Sequence, residues 1–418
     1  MFLSRAIGCG LLAATLFGGA AFADPPIRDV VTPAAPTKAT PAPAVTGSLP
    51  PVVGKNITHV VKPGEDLYAL GLHYKLAIEH FQWANNTTAL SIPPGRKIIV
   101  PNQHILPAML KDGLVINLPE RGVYLFKNGE AVAFYPCAIG MGGRFATPVG
   151  DCKIISRQMY PTWSPPDWAG IKEPVPPGPN NPLGDRWIGL SMDGVGLHGT
   201  LDPMSIGQNA SHGCMRMYPH VIRELFDRVK VGWPVKVMYD TVKVGISPED
   251  RKIYVQVYPD VYGRVPDPLA VLKEKLARSG LLDLVDEARL KTLLANKSAL
   301  PQLVLGDDIR IKVNGEPVTT SLAPFMKEGQ IWASSDFLKA LGAEMSFSAA
   351  EKSLVITRDG QEVHFQVGAD GGEYTPRLWN GKSVLPVKPV LTALNLDFKY
   401  LPEHKTLLIY CADVNASI

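Results

Sequence analysis

One thiol and two imidazoles fall close together in the chain. Cys214 lies in Ser211-His212-Gly213-Cys214-Met215-Arg216-Met217, and Leu197-His198-Gly199-Thr200 precedes it. A free thiol is only slightly ionised at neutral pH, so an imidazole must take its proton before the sulfur attacks a carbonyl. Either His198 or His212 meets that need. His212 is two residues from Cys214 and shares a face with it if the stretch is extended, whereas His198 must be brought in by the fold. A tetrahedral intermediate also needs backbone donors for its oxyanion, and the amides of Gly213 and Cys214 are the candidates, with glycine allowing close approach.

The elements that must hold these residues are mostly strands. Leu114–Leu118, Val123–Phe126 and Val132–Tyr135 are short β-rich runs, with a hairpin turn at Lys127-Asn128-Gly129-Glu130. After the cysteine motif, Pro219 suits a helix first turn, and Val221, Ile222, Leu225, Phe226 and Val229 recur at helical spacing. Val235–Tyr239 reads as a closing strand. Cys214 is thus expected between β structure and a helix whose positive end would favour a thiolate. The expected class is mainly β and multidomain, with a β-rich catalytic domain, a small βααβ module and an α+β C-terminal domain.

The chain ends bound where this chemistry takes place. Residues 1–23 carry Arg5, an apolar run from Ala6 to Phe17 and the small residues Ala21-Phe22-Ala23, which read as a cleaved secretory signal. Removing them leaves 418 minus 23, or 395 residues, enough for two or three domains. The formal charge falls from +3 to +2 with the loss of Arg5. Charges of both signs are interspersed, so no nucleic-acid partner is indicated. Residues 24–56 hold eight prolines and no aromatic residue, and read as a flexible tether. Four cysteines remain in an exported chain. Cys137 and Cys152 flank a glycine-rich turn, so a cross-strand disulfide between them competes evenly with free thiols; Cys214 would stay free, and Cys411 would sit buried in a terminal strand.

Residues 57–102 run strand, turn, two short helices, strand. With Val61-x-Pro63-Gly64-x-x-Leu67, Ala84-Asn85, Pro94-Gly95 and Ile99-x-Pro101, the segment resembles a lysin-motif (LysM) module, although it has Glu65-Asp66-Leu67 where the family commonly shows Asp-Thr-Leu. The resemblance implies recognition of N-acetylglucosamine-containing glycans; the alternative is packing on the next domain. Residues 245–302 read as a connector with a strand at Ile253–Val257 and helices. The stretch 303–418 is similar to the domain called copper amine oxidase N-terminal-like, a name that implies no copper here; its hairpin turn is Asp359-Gly360, and Ser335 or Asp336 caps a helix ending near Gly342.

Residues 113–244 resemble the L,D-transpeptidase (YkuD-type) catalytic domain. Gly140, Thr147-Pro148-x-Gly150, Asn181-Pro182-Leu183-Gly184, the His198 motif and the Cys214 motif follow one another in family order. The resemblance implies Cys214 as nucleophile, His198 as its base, the Gly199 carbonyl orienting His198, and His212 lining the site. Arg216 would hold an anionic group, its alternative being a structural salt bridge, and Ser211 would shape the loop. The proline-rich stretch from Tyr160 to Pro182, with Trp163 and Trp168, would form a lid bearing substrate contacts such as Trp163, or else a packed surface loop. The implied substrate is peptidoglycan: a stem peptide gives its acyl group to the thiol with loss of D-alanine. The acceptor is a second stem peptide, a lipoprotein lysine, a D-amino acid or water, and the setting is the periplasm or cell envelope. Three alternatives stand beside this. A zinc site from His198, His212 and Cys214 lacks paired ligand spacing, and no metal or organic cofactor is called for. A wall-directed cysteine hydrolase of the papain-like kind would place cysteine before histidine. A non-catalytic wall-binding scaffold would not need the Cys–His pair.

Overall fold

The computed structural model describes residues 49–418 other than 167–168, 171, 349–350, 352, 368–374, 380–381 and 412–418. The expected signal segment, most of the tether and Trp168 lie outside the described residues. The architecture is mainly β and multidomain, and no helix among the described residues is long and apolar enough to cross a membrane.

The first module contains β1 (Val52–Val53), β2 (Ile57–Val60), α1 (Leu67–Tyr74), α2 (Ile78–Ala84), β3 (Lys97–Val100) and β4 (His104–Ile105). β2 pairs antiparallel with β3, giving the expected βααβ order. Asp66 caps α1 by accepting from Ala69 N. Leu67, Leu70, Ile78, Phe81, Ile98 and Val100 fill its core.

The second domain is built on an eight-stranded sheet. Its elements are β5 (Gly113–Asn117), β6 (Gly122–Lys127), β7 (Glu130–Pro136), β8 (Ile139–Gly140), β9 (Gly150–Met159), β10 (Arg186–Leu190), β11 (Gly196–His198), β12 (Asn209–Ser211), β13 (Met215–Arg216), α3 (Pro219–Arg228) and β14 (Pro234–Met238). The spatial order is β13-β11-β10-β9-β14-β5-β6-β7. Asn128 and Gly129 take positive φ at the β6–β7 turn, as its sequence requires. Ala138, just past β7, bridges Arg216 of β13 through two backbone bonds of 2.8 and 3.1 Å. The two ends of the sheet are therefore tied together, and the sheet curls around its core. α3 begins at Pro219 and buries Val221, Ile222, Leu225 and Phe226 against that core.

This topology rules out the disulfide. Cys152 of β9 lies opposite Val235 of β14, while Cys137 follows β7, with β14, β5 and β6 ordered between. Both thiols are free. The glycine-rich turn between them does not fold back as a hairpin, because the neighbours of β9 are β10 and β14.

Residues 245–302, expected as a connector, help build a third cored unit. β15 (Val242–Ile246), β16 (Ile253–Val257) and β17 (Gln302–Leu305) form an antiparallel sheet, accompanied by α4 (Pro268–Arg278) and α5 (Glu287–Ala295). Leu272, Leu276 and Leu290 pack there with Val242 and Val255, together with Phe325, Trp332 and Trp379 from further on. The remaining C-terminal strands and two short helices enclose a separate core that includes Ile311, Phe337, Ile356, Leu391 and Ile409. Cys411 is half-buried just beyond the last strand, Thr406–Tyr410.

A buried polar knot joins the first three units. The Glu120 carboxylate accepts from Lys243 Nζ at 2.8 Å and Tyr258 OH at 2.7 Å, and also from Tyr124 OH and His104 Nδ1. Both charges of the Glu120–Lys243 pair are buried. Burial opposes ionisation of Glu120, but Lys243 and His104 override it and hold the carboxyl well below its usual range. Losing either charged partner would leave the other unpaired in the interior, a loss of about 3–5 kcal/mol.

Candidate active site

Strand register sets out the site. Gln158 of β9, Trp187 of β10, His198 of β11 and Arg216 of β13 are successive cross-strand partners, so their side chains form one row on one face of the sheet. All four line a cavity of about 510 Å³. Cys214 enters it from the bend before β13, and Ser211 and His212 from the end of β12. Trp163 and Pro166 line it from the proline-rich loop, whose backbone is pinned by a bridge between Trp163 and Val175. These described loop residues therefore form part of the cavity wall.

His198 is buried, and its ring lies parallel to Trp187 at 5.9 Å between centroids. Its Nδ1 is 2.6 Å from the Gly199 carbonyl oxygen. A carbonyl only accepts, so Nδ1 carries the proton and Nε2 is left as a base. Burial pushes the imidazole down to about 4; the charge of Arg216 adds to this and the bond to Gly199 opposes it. Gly199 is glycine for space, since a Cβ there would sit 3.3 Å from the Leu183 carbonyl oxygen and 3.4 Å from the Gly184 Cα.

His212 is placed differently. Residues 212–214 form a bend, with Gly213 at φ +119°, so the stretch is not extended and the two-residue spacing does not put His212 and Cys214 on one strand face. His212 is exposed and stands edge-on to Phe145 at 4.3 Å. Partial burial, Arg216 and Arg144 lower its pKa.

The Cys214 thiol donates to the Gly194 carbonyl at 3.4 Å. Burial pushes it above its ordinary value, with Arg216 pulling the other way. Cys214 does not itself open a helix: β13 follows it, and α3 starts five residues later. The Ser211 hydroxyl donates to the Cys214 carbonyl and accepts from Gly213 N at 3.2 Å, bracing the bend. The Gly213 amide is thus engaged, while Cys214 N–H donates to no acceptor among the described residues. No carboxylate among the described residues lies within ion-pair distance of Arg216, which lines the cavity.

Several supporting residues carry no catalytic signature in the sequence. Asn181 is fully buried; its Nδ2 reaches the carbonyls of Pro161, Val175 and Pro176, and its Oδ1 accepts from Leu183 N, fixing the base of the lid. The Thr147 hydroxyl accepts from Gly140 N at 2.9 Å. Tyr262, outside the expected catalytic bounds, donates to the Gly140 carbonyl at 2.8 Å and accepts from Thr147 N at 3.2 Å. Asn181 and Thr147 stand in the motifs noted above, but nothing local points to Tyr262.

A curled sheet that brings a thiol, two imidazoles and a guanidinium to one cavity has the make-up of an enzyme. Residues 111–237 match the family model for the L,D-transpeptidase catalytic domain, YkuD. The chain is 32% identical over 253 residues to the probable L,D-transpeptidase YcfS of Escherichia coli, covering 56% of this chain and 79% of that protein. It is 29% identical to the probable L,D-transpeptidase YbiS of the same organism, covering 62% and 92%. The putative L,D-transpeptidase YkuD of Bacillus licheniformis is 29% identical over 182 residues, or 43% and 98%. The chain belongs to the L,D-transpeptidase family.

Proposed function

We propose that this peptidoglycan L,D-transpeptidase works through a Cys214 thioester in the cell envelope. The observation that carries the reading is the convergence of Cys214, His198 and Arg216 on one cavity, with Nε2 of His198 left as a base. His198 Nε2 takes the thiol proton as Sγ attacks the carbonyl carbon between the diamino acid and D-alanine of a stem peptide. The Cys214 amide stabilises the oxyanion, joined by Gly213 N–H once it leaves the Ser211 hydroxyl. His198 then returns the proton to the departing amine. D-alanine leaves and a thioester remains, which an acceptor amine opens while His198 receives its proton.

His212 lines the rim, Arg216 binds an anionic group of the substrate, and Trp163 contacts the donor from the lid. The βααβ module, read as a LysM module, would hold glycan strands, and the leader-like first 23 residues agree with export. The acceptor is a second stem peptide or a lipoprotein lysine. Intact-mass measurement after incubation with a disaccharide-tetrapeptide tests the mechanism. The native chain should gain an acyl adduct and release D-alanine, and Cys214→Ala should do neither. An adduct persisting in Cys214→Ala would overturn it. Recovery of crosslinked dimer rather than tripeptide distinguishes transfer from hydrolysis.

A further inference from the structure

The tight turn between β10 and β11 supplies the hydrogen-bond acceptor of the thiol. Gly194 accepts the Cys214 hydrogen bond at 3.4 Å, and the residue before it is Asp193. The turn is held on both sides: Leu190 N donates to Val195 O at 3.0 Å, Val195 N to Met192 O at 3.1 Å, and Ser191 N to Lys153 O at 2.9 Å. Behind it lies a second cavity of about 480 Å³, floored by Ile155 and Ser156 of β9. Asp193, Gly194, Val195 and Trp187 line both cavities, so the turn stands between the Cys214 cavity and the second one.

Asp193 is exposed and, among the described residues, has no ion-pair partner. With His198 and His212 neutral, Asp193 and Arg216 are, among the described residues, the formal charges lining the Cys214 cavity. A carboxylate on the wall of this cavity does not help the thiol ionise. It does favour a cation within the cavity in which a thioester on that sulfur would stand. The physiological nucleophile of a transpeptidation is a primary amine, carried in water as an ammonium.

We infer that Asp193 is the specificity-determining residue for the acyl acceptor, drawing in a primary ammonium such as the free amine of a zwitterionic diamino acid and so favouring aminolysis of the thioester over hydrolysis. This rests on the thioester reading above. The ammonium gives one proton through the carboxylate to solvent, and its nitrogen then bonds to the thioester carbon. The C–S bond breaks, the second proton passes to His198, and from there it returns to the Cys214 thiolate, restoring the neutral pair.

The test compares the full-length native chain, Asp193→Asn and Asp193→Glu, each with a disaccharide-tetrapeptide as donor and acceptor. D-alanine release reports acylation, and the ratio of crosslinked dimer to tripeptide reports the fate of the thioester. Hydroxylamine, uncharged at neutral pH, serves as a nucleophile that does not need the carboxylate. Asp193→Asn should acylate within about twofold of the native chain and react equally with hydroxylamine. Its apparent KM for the acceptor should rise about tenfold, with tripeptide replacing dimer, a loss equivalent to one charge-assisted contact. Asp193→Glu should recover most of the transfer. Equal loss of acylation, hydroxylaminolysis and transfer in Asp193→Asn would show a purely structural turn and overturn the inference, as would an unchanged dimer-to-tripeptide ratio. A native chain that forms no thioester overturns the underlying mechanism and this inference with it.

Discussion

The resting thiol and imidazole should be a neutral pair, and alkylation of Cys214 against pH checks this. Burial holds the thiol above its ordinary 9.0 and brings His198 down to about 4. Moving the proton from sulfur to imidazole therefore spans at least about five pKa units, or at least about 7 kcal/mol. At pH 7 no more than about 1% of the thiol is ionised. Iodoacetamide should then react with the free enzyme at no more than about one-hundredth of its plateau rate. The rate should climb about tenfold per pH unit to at least pH 9. His198→Asn should leave this profile nearly unchanged, because the imidazole does not hold a thiolate at rest. The same substitution should slow thioester formation by about 10²–10⁴, the usual contribution of a general base. A flat alkylation rate from pH 5 to 9 in the native chain, lost in His198→Asn, would mean a preformed ion pair and would refute the reasoning.

Two further outcomes follow from the supporting contacts. Tyr262→Phe removes the hydroxyl that bridges Gly140 and Thr147; steady-state turnover should fall about threefold to tenfold while the unfolding midpoint moves little, because the loss is confined to the loop carrying Phe145. His80 is buried, accepts from Ala77 N, donates to the Glu120 carbonyl, and is lowered by burial to about 4. Unfolded histidine titrates near 6.5, so between 6.5 and 4 the unfolded chain binds the extra proton, and stability rises with pH across that window and is lost as pH falls through it. The single site is worth up to about 3 kcal/mol, measured as the urea midpoint from pH 7 to 4 in the native chain and His80→Gln.

Much of the site was legible because its chemistry is concentrated in two short runs. The reading of His198 rather than His212 as the base for Cys214 came only through the family motif. Spacing alone favours His212, and that argument fails because Gly213 bends the chain. The row of Gln158, Trp187, His198 and Arg216 needs strand register, which no local pattern encodes. Tyr262 is similarly invisible, since its partners lie 122 and 115 residues earlier. Residues 245–302 read as a connector because the apolar faces of α4 and α5 are completed by Phe325, Trp332 and Trp379, far along the chain. The Cys137–Cys152 pairing was suggested by a turn, but it is sheet order that decides which strands meet.

Arg216 does not by itself ease the resting proton transfer. Its charge lowers the pKa of both groups. That favours the thiolate and disfavours the imidazolium, so on the transfer itself the two effects largely cancel. An anionic group seated on Arg216 would screen both groups alike and leave the transfer nearly unchanged. Burial is what remains, and burial is what a bound substrate changes. Under the proposed mechanism the developing oxyanion would take up the Cys214 N–H, which donates to no acceptor among the described residues. That effect arises only with a substrate in place, so the empty site keeps its thiol protonated and little disposed to react with stray electrophiles.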